Sequence, residues 1–168
     1  GGALGDAGVR CELWGTDLSK LAVRLAARRH KAGSFAVAAS GRLPFDDGTL
    51  DAVVSVFAPV PAGEFRRVLR PGGALVVARP GPDHLMGVKT VLYDTPTPQA
   101  PPAREPGLPE PESRQRVRTE VTVAGEDAAN LLAMTPFYWK ATPEQQASMD
   151  KLESLTTWVD FDVRTYRL

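Results

Sequence analysis

The chain has 168 residues, 43% of them hydrophobic and 24% charged, with 20 Lys/Arg against 20 Asp/Glu. That balance fits one domain, here 1–168, with a sizeable core. It tells against a disordered chain and against nucleic-acid binding by bulk charge alone. No apolar run approaches the roughly 20 residues that span a bilayer, and the opening GGALGDAG has no signal-peptide pattern. The single Cys11 can form neither an internal disulfide nor a cysteine zinc site. A reducing, cytoplasmic setting is expected, with no membrane partner and no metal. Charge is uneven: residues 1–80 hold 11 Lys/Arg and 7 Asp/Glu, residues 81–168 hold 9 and 13. Positive surface for any nucleic-acid partner would therefore be local or lie outside this chain.

In chain order, CELWGTD (11–17) reads as a short strand, and Ser19 can cap the helix after it. In that helix Leu21, Ala22, Leu25 and Ala26 share a face, while Lys20, Arg24, Arg28 and Arg29 lie largely elsewhere. SFAVAAS (34–40) is a second strand, and GRLPFDDGTL is a loop with Asp-Asp-Gly turn chemistry. LDAVVSVFAP (50–59) is nearly all apolar, the mark of a strand buried on both faces. AGEFRRVLR (62–70) is a helix ended by Pro71-Gly72-Gly73, and ALVVARP (74–80) is another buried strand. Strands alternating with helices predict a parallel α/β sheet.

Residues 84–94 read as a helix that Gly87 weakens. Seven prolines between 96 and 111 forbid regular structure, so 95–113 reads as a flexible loop or flap. QRVRTEVTV (115–123) alternates like a strand. Residues 125–137 start as a helix broken at Thr135-Pro136, and 142–155 form another, with Thr142 as N-cap and Pro143 at its first position. Residues 156–168 close the chain as a strand, giving a mostly parallel sheet that ends antiparallel.

Three stretches together resemble the Rossmann-like, S-adenosyl-L-methionine-dependent methyltransferases: WGTDLS, AASGRLPFDDGTLDAVVS and FRRVLRPGGALVV. The resemblance places Asp17 on the cofactor ribose, where a carboxylate at a strand's carboxyl end accepts from both hydroxyls of a diol. Leu18, Ala39, Ser40 and Leu43 fall around the adenine, and Phe57, Ala58 and Pro59 line the methyl-donor end. Many members carry an acid where Ser40 or its neighbour stands, so Ser40 is a weaker acceptor. The bland alternatives are a helix cap at Asp17 and core strand at 56–59.

A narrower resemblance, carried by GPDHL (81–85) and AMTPFYWKA (133–141), is to the 23S rRNA (guanine-N1) methyltransferases, including the macrolide-resistance type. It implies methyl transfer to N1 of a guanine in a 23S rRNA hairpin. His84 and Phe137 become the catalytic candidates, and His84, Thr135, Pro136 and Phe137 the substrate-binding ones. Asp83, His84 or solvent could take the N1 proton. VFAP (56–59) stands where amino-group methyltransferases carry polar residues, which suits a ring nitrogen. The family's N-terminal zinc module, first strand and glycine-rich loop have no counterpart here. The expectation is the C-terminal part of a longer enzyme, inactive alone and open at the centre of its sheet. A small-molecule methyltransferase and a non-catalytic truncated domain stay open as alternatives, and so does a homodimer.

Overall fold

The structure is a computed structural model that describes residues 11–124, 126–135, 137 and 141–168. The chain forms two compact units. One holds the residues up to Val76 with Arg104–Pro111 and Tyr166–Leu168, and the other holds Val77–Ala103 and Glu112–Thr165.

In the first unit, β1 (Leu13–Asp17) pairs in parallel with β2 (Gly33–Val37), from Leu13 opposite Gly33 to Asp17 opposite Val37. Between them lies α1 (Lys20–Arg29), whose Ser19 cap accepts from the Ala22 N–H at 3.2 Å. Gly15 is required by close approach: a side chain there would meet the Phe35 ring at 2.7 Å. β3 (Leu50–Val56) leads through α2 (Ala62–Val68) into β4 (Leu69–Pro80), which neighbours β3. Phe65 and Val68 bury the inner face of α2. The expected break at Pro71-Gly72-Gly73 falls inside β4, because Gly72 (φ 75°) and Gly73 pair with Leu168 through N–H···O bonds of 2.6 and 3.0 Å. The helix ends earlier, at Val68.

The second unit holds the rest of β4, β6 (Ser154–Arg167, up to Thr165) and the edge strand β5 (Ser113–Ala124), in the order β4-β6-β5. β5 and β6 are antiparallel, from Ser113 opposite Thr165 to Ala124 opposite Ser154. One sheet face carries α3 (Met86–Leu92), α4 (Glu126–Ala133) and α5 (Pro143–Asp150). Leu85, Val88, Leu92, Ala128, Leu132 and Leu155 form the core there. Gly87, a weak helix former, is explained: a side chain would collide with the Thr156 carbonyl oxygen of β6. Thr142 and Gln145 make a reciprocal capping box at the start of α5.

The other face of the β5–β6 pair is ionic. Asp160, Asp162 and Arg164 are buried. Arg114 grips Asp162 through Nε and Nη2, and Arg116 grips Asp160 in the same way. Arg118 stacks 3.6 Å from the Trp158 ring centroid. Each arginine reaches the β6 residue two positions from its direct partner, a diagonal that the sheet geometry provides.

The proline-rich segment is irregular, as expected, but it is tied down. The Thr97 carbonyl accepts from Lys89 Nζ at 3.2 Å, and the Pro102 carbonyl from Arg164 Nη2 at 2.6 Å. The Gln99 N–H donates to the Pro82 carbonyl at 3.1 Å. These bonds link residues 97–102 to α3, to the Pro82 turn and to β6.

Candidate active site

The first unit carries a cleft of about 610 Å³, lined by β1, the 38–45 loop, β3 and the turn after it. Of the eight residues expected around the cofactor, Asp17, Leu18, Ser40, Leu43, Phe57, Ala58 and Pro59 line it. Ala39 does not. Its carbonyl accepts from the Arg42 N–H at 3.0 Å, closing the turn that delivers Ser40 and Leu43.

Asp17 sits at the carboxyl end of β1. Its Oδ1 accepts from the Ser19 N–H at 2.7 Å, fixing the turn into α1. No hydrogen bond among the described residues reaches Oδ2. One carboxylate thus serves both readings of the sequence, holding the turn with one oxygen and offering the other to a ligand. At the end of β3, Phe57 adopts φ 52°. A bulky residue there stores strain of about 1–2 kcal/mol, and the turn it makes sends Ala58 and Pro59 along the cleft wall.

Sequence reasoning missed two features. Trp14 and Phe45 also line the cleft and meet edge to face, ring centroids 5.6 Å apart. The 42–47 loop is bolted to α2 by Glu64 and Arg67. Glu64 accepts from the Leu43 N–H at 2.7 Å, and Arg67 donates to the Phe45, Asp47 and Leu43 oxygens at 2.8, 2.8 and 3.1 Å. The Arg67 hydrogen bond, followed by the Leu43 amide, pulls the Glu64 carboxyl down to about 2. The aromatic pair was visible only as LWG and LPF; the clamp had no sequence signal beyond a Glu and an Arg three apart on a helix.

The substrate candidates lie in the second unit. His84 is half-buried, and its Nδ1 accepts from the Asp160 N–H at 3.2 Å. Burial lowers its pKa despite the nearby Asp160. Asp83 receives Arg116 and Arg118 at 2.8 and 3.2 Å, so its carboxylate is already committed to two guanidiniums. Asp160 fixes this turn, accepting from the Gly81 N–H on its carbonyl and from the Asp83 N–H on Oδ2. Arg116 holds the buried Asp160 carboxyl well below the usual range. Burial pushes Asp162 up, but hydrogen bonds from Arg114 and Arg164 bring it below its ordinary value. Gly81 is obligatory, since any side chain would run into the Asp160 carboxylate.

Thr135 is buried, and its hydroxyl donates to the Leu132 carbonyl at 2.8 Å, ending α4. Phe137 packs on the helical core, edge-on to Tyr93 at 6.2 Å and 5.6 Å from Lys89 Nζ. Pro136 lies outside the described residues.

Strand order, the acid at the end of β1 and the cleft beyond it are those of the Rossmann-like methyltransferase fold. A methyltransferase-domain family model matches residues 2–77. A type II methyltransferase structure described from Anaeromyxobacter dehalogenans superposes with a TM-score of 0.57 at 20% identity, covering 98% of this chain and 84% of that one.

The sequence relatives are more particular. The 23S rRNA (guanine(748)-N(1))-methyltransferase of Streptomyces fradiae is 37% identical over 137 residues, 78% of this chain and 49% of that protein. A Micromonospora griseorubida protein named for 23S rRNA (guanine-N(1)-) methylation is 37% identical over 135 residues, 76% of this chain and 45% of its own. The chain spans about half the length of these curated relatives.

Proposed function

We propose that this chain forms part of an S-adenosyl-L-methionine-dependent methyltransferase acting on N1 of a guanine in 23S rRNA. The observation that carries the reading is the Asp17 Oδ2, without a protein partner among the described residues, at the rim of a cleft shared with the 57–59 turn. The residues fit the cofactor. Asp17 takes the ribose diol, Leu18, Ser40 and Leu43 surround the adenine, and Phe57, Ala58 and Pro59 border the methionine end. The bound cofactor supplies an electrophilic methyl group on its sulfonium. The chain contributes position and the exclusion of water.

His84 is a positioning residue in this reading. Its Nδ1 is already an acceptor for the Asp160 amide, so protonation there would break that bond. The Asp83 carboxylate is already paired with two arginines, which leaves the N1 proton to solvent. Thr135, Pro136 and Phe137 are the substrate-binding residues of this reading, with Phe137 as the stacking surface for an extruded base. The partner is rRNA, the setting cytoplasmic, and the described helices include none long and apolar enough to cross a membrane.

The test is 23S rRNA from cells with and without the gene. N1-methylguanosine and a matching reverse-transcription stop should vanish on deletion. A methyl on N2, N7 or an adenine would refute the assignment and leave only the methyltransferase class.

A further inference from the structure

Residues 81–168 are acidic in total, with 9 Lys/Arg against 13 Asp/Glu. Within them Arg114, Arg116 and Arg118 alternate along β5, which sets all three on one face of the strand about 7 Å apart. Their side chains are 53%, 47% and 39% exposed, while the Asp162 and Asp160 side chains beneath them are 5% and 0% exposed. Acids lie below and guanidiniums on top. Asp83 receives Arg116 and Arg118 from the side, so the row abuts the 81–85 turn, and Glu120 ends it.

Holding the sheet together does not use all that this row offers. Arg114 and Arg116 each commit Nε and Nη2 to carboxylates, and neither Nη1 makes a hydrogen bond among the described residues. A guanidinium gripped along one edge is ordered before a ligand arrives and presents its remaining N–H groups to a phosphate. Counting Arg164, four guanidiniums meet the three carboxylates of Asp83, Asp160 and Asp162, which leaves the cluster positive. Arg118 stacks on Trp158, and its outer face is a plane on which a nucleobase can lie. An acidic polypeptide would answer the charges but has no use for that plane.

We infer that the ionic face of β5 and β6 is an RNA-binding strip. Arg114 and Arg116 hold successive phosphates through their outward Nη1 groups, and Arg118, backed by Trp158, supports an unstacked base beside them. The strip runs along β5 toward Asp83 and His84, so it delivers the RNA backbone to the 81–85 turn. This rests on the RNA partner proposed above and adds where on the chain that RNA lies. The local row also accounts for RNA binding by a chain with no basic excess.

The experiment is filter binding of the 168-residue chain to a 23S rRNA transcript, without cofactor, between about 50 and 200 mM salt. The variant is Arg114→Gln with Arg118→Gln. It strands no buried acid, because Asp162 keeps Arg164 and Asp83 keeps Arg116, so the fold should hold. Arg116 stays, as the cation on Asp160. Affinity should fall by about tenfold or more, and the slope of log affinity against log salt should lessen by about 1.4–1.8. Arg28→Gln with Arg29→Gln, two exposed charges on α1, should change affinity by no more than about twofold. Bound RNA should also shield Arg114 and Arg118 from phenylglyoxal. The strip is overturned by no RNA binding, by equal losses in the two variants, by an unchanged salt slope, or by modification that RNA does not slow. Competition by polyglutamate as strong as by unlabelled transcript also overturns it and marks the face for an acidic protein. No methyl is transferred in these measurements. Binding that ignores the arginines therefore defeats the strip and leaves the proposed reaction standing, and a methyl found away from guanine N1 does the reverse.

Discussion

Asp160→Asn should destabilise the second unit strongly for a change that keeps shape. The carboxylate is fully buried and accepts from Arg116 Nε on Oδ1 at 2.8 Å, and from Arg116 Nη2 and the Asp83 N–H on Oδ2 at 2.8 and 2.9 Å. An amide keeps one acceptor oxygen and turns the other into a donor. That NH₂ must face either the guanidinium or the Asp83 amide, donor against donor. Hydrogen bonds to a charged group contribute about 1.5–3 kcal/mol each, and breaking a fully buried pair costs about 3–5 kcal/mol. Arg116 is half exposed and can hydrate, so the expected loss is about 2–3 kcal/mol. With a urea slope of roughly 1–3 kcal/mol/M, the unfolding midpoint should fall by about 0.7–3 M. The pH dependence gives a second reading. The Asp160 pKa is lowered below its ordinary 3.8, so its contribution is complete above that value and is lost as pH falls through the folded pKa. The variant should lack that part of the acid loss. A midpoint shift worth less than about 0.5 kcal/mol would show that the arginine–aspartate face is ornamental.

Four further outcomes are expected. Asp17→Ala, in a form that binds cofactor, should weaken S-adenosyl-L-methionine binding by about 1.5–3 kcal/mol in calorimetry and leave RNA binding near normal; unchanged affinity would make Asp17 a turn residue only. Because burial lowers the His84 pKa, wild-type stability should be complete above its ordinary 6.5 and decline as pH falls below it, whereas His84→Gln should show a flatter urea midpoint from pH 6.5 to 5. Phe137→Ala should reduce the reverse-transcription stop on treated rRNA more than it reduces cofactor binding; equal losses would mean simple loss of packing. Among the described residues β1 pairs only with β2, and β3 only with β4, so the 168-residue chain should tend to aggregate through these edges, and a soluble monomer across a concentration series would contradict this.

The sequence by itself determined the elements and their kind. The apolar runs at 50–56 and 74–80 are strands, as read, and most of 74–80 is buried or half-buried. Val54 and Val56 of β3, however, are 66% and 56% exposed, so burial on both faces does not hold there. The alternation over 115–123 reads correctly as a strand. Local chemistry also located the acid at the end of β1 and the Ser19 and Thr142 caps, because each depends on residues within three positions. Tertiary structure decided what depends on distant approach. Gly87 looked like a flaw in a helix until the β6 backbone beneath it left room for nothing larger. Asp83 and His84 looked available for chemistry until residues some 33 to 77 positions away claimed them. Ala39 was one residue from the cleft, and only the turn closed by Arg42 showed which neighbour points in. The Glu64–Arg67 clamp joins a helix to a loop about twenty residues earlier, a pairing that no local period encodes. Pattern follows from nearest neighbours along the chain; a site is assembled from hydrogen bonds between segments that only the fold brings together.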